Sequence, residues 1–212
     1  MILEKTTVEY TSTTVSFIVG ARTGFTRRLY DSTKPGSGNV RVINTKATFE
    51  GPYGGIHSLD SYGHVVLFAG ATGITHQLPY VRHLVEGFNM GTVVTKRLVL
   101  VWIIRDLQAI EWIRPWLQSI LDYPLYREML DIRIYVTRGP ERRELTHDVP
   151  CVTIEKGRPD VDQIVREEVA HQTGAMAIQV CGTGGLADSV RKASRDVQGN
   201  SMIDFIAESF TW

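Results

Sequence analysis

With 212 residues, 43% of them hydrophobic and 22% charged, the chain has the profile of a globular α/β protein of one sizeable domain or two small ones, which excludes a disordered tail. Lys plus Arg equals Asp plus Glu at 23 each, so no bulk charge points to nucleic acid or an anionic membrane surface, and any anion binding has to be local. Cys151 and Cys181 make neither a disulfide framework nor a metal-ligand spacing, no run of about 18 apolar residues occurs, and the N-terminus lacks the pattern of a secretion signal.

From Thr6 to Ala21 the residues are rich in Thr, Val, Ile, Phe and Tyr, which predicts β-structure with its core at Val15 to Val19. Thr23 to Tyr30 reads as a short helix with Thr23 or Thr26 as N-cap, ended by a Gly- and Pro-containing loop at 31–38. Arg41 to Phe49 returns to β character and runs into the turn cluster Glu50-Gly-Pro-Tyr-Gly-Gly55. The expected division is 1–55 and 56–212.

The stretch that organises the remainder is Val65 to Thr75. A strand-length apolar run, Val65 to Ala69, feeds directly into Gly70-Ala71-Thr72-Gly73, and a helical period follows at Ile74, Leu78, Val81, Leu84 and Val85. Such a turn gives the backbone freedom and lets a phosphate approach a helix N-terminus, though the same turn also serves with no ligand. Leu98 to Ile104 is a second, doubly buried strand, followed by a helix from Ile110 to Leu121 in which Pro115 is an irregularity. Ile132 to Val136 and Val149 to Ile154 are further strands, and Asp160 caps a helix reaching His171. Ala175 to Val180 opens into Cys181-Gly-Thr-Gly-Gly185 and a helix from Leu186 to Val197, so the strand, glycine and helix device occurs twice. Ser201 to Ile206 is a short edge strand, and Phe210 and Trp212 are aromatic residues expected to pack on something.

Alternation of strand and helix predicts a doubly wound parallel sheet with a ligand crevice at the carboxyl ends of its strands, where both glycine turns, Arg105 and Arg158 fall. An arginine after the second strand suits the extra phosphate of NADP. Asp106 beside it suits NAD instead, unless its carboxylate turns to the following helix N-terminus. A solvated strand end is the other reading of Arg105. His57, His64, His76, His83, His147 and His171 show no metal spacing, so no metal is expected, and Trp102, Trp112 and Trp116 read as core aromatics.

Five segments in order carry a resemblance: Thr23-Gly-Phe-Thr-Arg-Arg-Leu29, Glu50-Gly-Pro-Tyr-Gly54, Gly70-Ala-Thr-Gly-Ile-Thr75, Trp102-Ile-Ile-Arg-Asp106 with Glu111-Trp112, and Cys181-Gly-Thr-Gly-Gly-Leu-Ala-Asp188. Together they resemble the C-terminal half of the ferric-chelate reductase and NADPH oxidase family, within the ferredoxin-NADP reductase superfamily. Glu208 to Trp212 resembles fungal ferric reductases in particular. The resemblance implies a nucleotide-binding domain of that superfamily preceded by a remnant of an antiparallel flavin-binding β-barrel.

By the same resemblance NADPH gives a hydride to FAD, and single electrons pass to haems in a membrane domain and on to Fe(III). Gly70, Ala71, Thr72, Gly73, Ile74 and Thr75 match the pyrophosphate turn. Arg105, with Asp106, and Arg158 match the adenosine-phosphate pocket. Cys181, Gly182, Gly184 and Gly185 match the turn beside the nicotinamide, Trp212 the aromatic lid over the flavin, and Glu208 a carboxylate near it. Relatives usually have glycine at the position of Ala71, proline near His76 and proline at Thr183. The family's His-Pro-Phe flavin signature, due just before Thr6, is absent. The chain is therefore expected to begin inside the barrel, to be soluble and inactive alone, and to meet the flavin and haem domains of a parent protein on the cytosolic face of a plasma or vacuolar membrane. An oxidase that makes superoxide shares every one of these residues, and a non-catalytic nucleotide-binding or interaction module is the other reading.

Overall fold

The structure is a computed structural model describing residues 2–3, 17–33, 43, 46–48, 50, 57–138 and 149–208. The chain divides into two compact units, Met1–Ile56 and His57–Trp212.

In the first unit β1 (Ile2–Leu3) pairs antiparallel with β2 (Phe17–Ile18), and α1 spans Phe25–Ser32. Neither threonine caps this helix: Gly24 holds the N-cap, while the Thr26 hydroxyl accepts from the Arg22 backbone N–H at 3.1 Å. Most of the expected barrel segment, with Pro52 and Tyr53, lies outside the described residues.

The second unit is built on one parallel sheet of six strands: β3 (His64–Gly70), β4 (Arg97–Ile104), β5 (Leu130–Val136), β6 (Val152–Lys156), β7 (Met176–Cys181) and β8 (Ile203–Glu208). Their spatial order is β6-β5-β4-β3-β7-β8, so the first strand of the unit lies inside the sheet and β8 at an edge. The chain winds outward from β3 to β6, then crosses to β7 on the other side of β3. That reversal opens a crevice between the carboxyl ends of β3 and β7.

Both faces of the sheet are covered. Helix α2 (Ile74–Met90) buries Ile74, Leu78, Val81, Leu84 and Val85, the residues set out by its period, and leaves Pro79 on its exposed side. On the other face Val66, Phe68, Val101, Ile178 and Val180 pack with Val165 of α5 (Val161–Ala170) and Val190 of α6 (Gly184–Val197). The Asp160 carboxylate caps α5 by accepting from the Gln163 N–H at 2.9 Å.

The expected helix from Ile110 to Leu121 is two pieces. Leu107–Trp112 is a 3-10 turn, and α3 (Arg114–Leu121) begins afresh with Pro115 in its first turn. A proline there lacks only an N–H that the helix start leaves unpaired anyway, so it starts the helix rather than disturbing one. A further short helix, α4 (Tyr126–Met129), leads into β5.

At the amino ends of the strands, opposite the crevice, α5 sends Glu168 into the sheet. Its carboxylate, 1% exposed, meets His64 Nε2 at 3.1 Å and receives Arg97 Nε at 2.6 Å and Arg97 Nη2 at 3.0 Å, and Arg133 also donates to it. Burial opposes its ionisation, but the hydrogen bonds from His64 and Arg97 and the charges of Arg133 and Arg97 outweigh it and hold the carboxyl far below the usual carboxylate range.

Candidate functional site

The crevice forms because the two strand-to-helix turns meet. Gly70 and Gly182 approach so closely that a Cβ on Gly182 would lie 3.2 Å from Gly70 Cα, and one on Gly73 would lie 2.1 Å from the Cys181 carbonyl oxygen. Another backbone thus occupies the space a side chain at Gly73 would need. The turn itself, Ala71–Gly73, is 3-10, and Ala71 sits at φ 48°, a conformation alanine adopts only under constraint. Around Gly184 and Gly185, by contrast, a Cβ would meet nothing within 4 Å.

Neither α2 nor α6 has a side-chain N-cap, so the positive ends of both helix dipoles face this rim without a competing carboxylate or hydroxyl acceptor. Beside them lies a cleft of about 520 Å³ whose walls include Gly70, Ala71, Thr183 and Gly185 at one side and Arg105 and Arg158 at the other. Thr137, also in its lining, ties the strand ends together: its backbone N–H and hydroxyl both donate to the Ile104 carbonyl, at 2.9 and 3.0 Å. The Arg138 N–H donates to the Arg105 carbonyl at 2.8 Å. Arg158 follows Gly157, whose φ of 104° turns the chain back after β6.

Of the residues expected at a nucleotide site, Gly70, Ala71, Arg105, Arg158 and Gly185 share the lining of this cleft. Thr72 and Thr75 are exposed beside the turn, joined by a bond of 2.9 Å from the Thr75 hydroxyl to the Thr72 carbonyl. Ile74 is fully buried and presents no side chain to a ligand. The Asp106 carboxylate accepts from the Gln108 N–H at 3.0 Å and so caps the following turn. Gly182 and Gly184 belong to the second turn. Trp212 lies outside the described residues, as does Phe210.

Cys181 and Glu208 are partners in the register of β7 and β8. The Cys181 side chain is buried, and burial, with the Glu208 carboxylate nearby, pushes its thiol up to about 11. It is therefore a neutral thiol at physiological pH. Glu208 Oε1 lies 3.6 Å from His57 Nε2. Next to them His76 Nε2 is 3.1 Å from Gln179 Nε2, and burial lowers the imidazole's proton affinity, with Glu208 pulling it up and His57 pushing it down. Among the described residues no group of His, Cys, Asp or Glu is arranged to hold a metal ion.

The ferric reductase NAD binding domain family matches residues 62–149, which span β3 to β5 and hold the first turn and Arg105. Over those residues the chain is similar to a ferric reductase NAD-binding domain. A probable cell surface ferric reductase of Aspergillus oryzae is 33% identical to it over 78 residues, which are 36% of this chain and 10% of that protein. The chain thus spans a small part of the relative it matches. Arg158, Cys181, Gly182, Gly184, Gly185 and Glu208 lie beyond the residues that the family match covers, and their place in the cleft or beside it rests on geometry. No helix among the described residues is long and apolar enough to cross a membrane.

Sequence reasoning missed two contributors. Trp102 reads as a core aromatic and is fully buried, yet its indole N–H donates to the Ala71 carbonyl at 2.9 Å, directly beneath the Ala71–Gly73 turn. Thr137 sits at a strand end with no motif around it. A polar atom on a buried aromatic was the available signal for the first, and nothing local marked the second.

Proposed function

We propose that this domain binds NADPH and serves as the hydride-donor module of a flavin- and haem-dependent transmembrane ferric-chelate reductase. The observation that carries the reading is the cleft at the switch point of the sheet, with uncapped helix N-termini at one side and two guanidinium groups at the other. A dinucleotide laid along it rests its pyrophosphate against the Gly70–Gly73 turn, where backbone N–H groups and helix dipoles favour the anion. Arg105 and Arg158 take the 2′-phosphate, since a guanidinium offers paired donors to a phosphate that a neutral side chain cannot. Asp106 is engaged in capping and so leaves that phosphate unopposed.

The nicotinamide then lies toward the ends of β7 and β8, against Cys181 and Glu208. A neutral, buried thiol there supplies shape and polarisable contact rather than a nucleophile. FAD, when bound, supplies hydride acceptance and one-electron release. This chain's own residues hold and orient the donor. In this reading the module sits at the cytosolic face of a membrane, and transfer onward through haems to Fe(III) belongs to the parent protein. Titration calorimetry of the chain with NADPH and NADH tests it: NADPH is expected to bind the more tightly, and no heat or melting-temperature shift with either at millimolar concentration would overturn it.

A further inference from the structure

We propose that Trp102 is a positioning residue for the nucleotide turn: its indole N–H latches the Ala71 carbonyl and thereby holds the turn in the shape that binds pyrophosphate. The proposal rests on the reading of the cleft as a nucleotide site. Among the described residues Ala71 is the one non-glycine at positive φ, where the Cβ crowds its own backbone. Such a conformation persists only where the surroundings impose it. Gly70 and Gly73 pack against Gly182 and Cys181 on one side, and from β4 a side-chain donor reaches the Ala71 carbonyl itself. Trp102 stands in β4 in register with Ala69 of β3, and its ring is fully buried, so its single N–H must find an acceptor inside the protein. It finds the Ala71 carbonyl, at 2.9 Å, which the Ile74 N–H also approaches from the first turn of α2.

The two needs are complementary. A buried donor lacks any other partner, and a strained exposed turn needs an anchor below it. Ala71 and Gly70 face the cleft, so whatever fixes the Ala71 peptide also fixes the direction of the backbone presented to a bound nucleotide. The latch operates from beneath, 31 residues away in the chain, without touching the ligand. Glycine at position 71 would adopt the same φ without strain, and the latch would then matter less.

That asymmetry gives the test, a double-mutant cycle on Trp102→Phe and Ala71→Gly, read by NADPH titration and by hydrogen exchange of the amides in 70–74. With Ala71 present, Trp102→Phe is expected to weaken NADPH about fivefold, the worth of one ordinary hydrogen bond, and to speed exchange in the turn. In the Ala71→Gly background the same substitution should cost less than about twofold and barely change exchange. Core packing lost with the indole is common to both backgrounds. Equal losses in both would therefore make Trp102 a packing residue only and overturn the proposal. If the wild-type chain fails to bind NADPH, the nucleotide reading fails and this proposal's binding clause with it. The exchange cycle still decides the latch, which equal acceleration in both backgrounds would rule out.

Discussion

The carbonyl oxygen of Cys181 stands where the side chain of Gly73 would begin, 2.1 Å from an ideal Cβ. The last residue of β7 thus blocks any side chain at the residue closing the turn after β3. Gly73→Ala should push the two turns apart, because the obstructing atom is backbone and cannot rotate away. Overpacking of this kind costs about 1 to 3 kcal/mol, and with a rigid partner the upper end is expected. Urea unfolding checks it: a lower midpoint at unchanged slope is the expected result, and a wild-type midpoint would show that the turns yield freely.

Arg105 and Arg158 face one cleft from beyond the ends of β4 and β6, the two strands that flank β5. Arg105→Ala should weaken NADPH about tenfold or more and leave NADH nearly unchanged, since a charge-assisted bond to the 2′-phosphate is typically worth about 1.5 to 3 kcal/mol. Competition titration of the two nucleotides decides the role. Equal losses for both would assign Arg105 to the shared pyrophosphate or to the fold.

The Glu168 network makes stability depend on acid. Its carboxyl titrates lower folded than unfolded, so the group contributes stability that is fully present above the ordinary carboxylate range and is lost as pH falls below it toward the folded value. Glu168→Gln leaves Arg97 and Arg133 without their buried anion and should cost about 3 to 5 kcal/mol at pH 7. Between about pH 5 and pH 3 the wild type should lose more stability than the variant, so their denaturation midpoints converge. Parallel curves would mean that Glu168 is not the group responsible.

Both thiols should be inert in the folded state. Burial pushes Cys151 and Cys181 up to about 11, and neither is exposed. At pH 8 a colorimetric disulfide reagent is expected to release little colour until denaturant is added, then to count two thiols. Rapid native reaction at Cys181 would mean that the wall beside the proposed nicotinamide position opens, a finding that a Cys181→Ala variant would localise.

What the sequence alone determined is everything that depends on neighbours along the chain. Apolar period placed the core face of α2, continuous apolar runs marked β3 and β4, and Asp160 announced the start of α5 through a bond three residues long. The paired strand, glycine and helix units, with Arg105 and Arg158 at strand ends, were enough to put a crevice at the carboxyl edge. Pro115 was visible too, but whether it kinks a helix or begins one depends on how the preceding turn closes.

Only the tertiary structure decided which residues meet across the sheet. Gly73 against the Cys181 carbonyl, Trp102 under Ala71, and Glu168 between His64, Arg97 and Arg133 join residues 31 to 108 positions apart. Such pairings have no local signature, because parallel strands acquire their neighbours through long crossovers and a side chain's partner is fixed by strand order and register. A glycine and a tryptophan read the same in sequence whether they face solvent, a ligand or another backbone. Strand order is what turned these two into the supports of one turn.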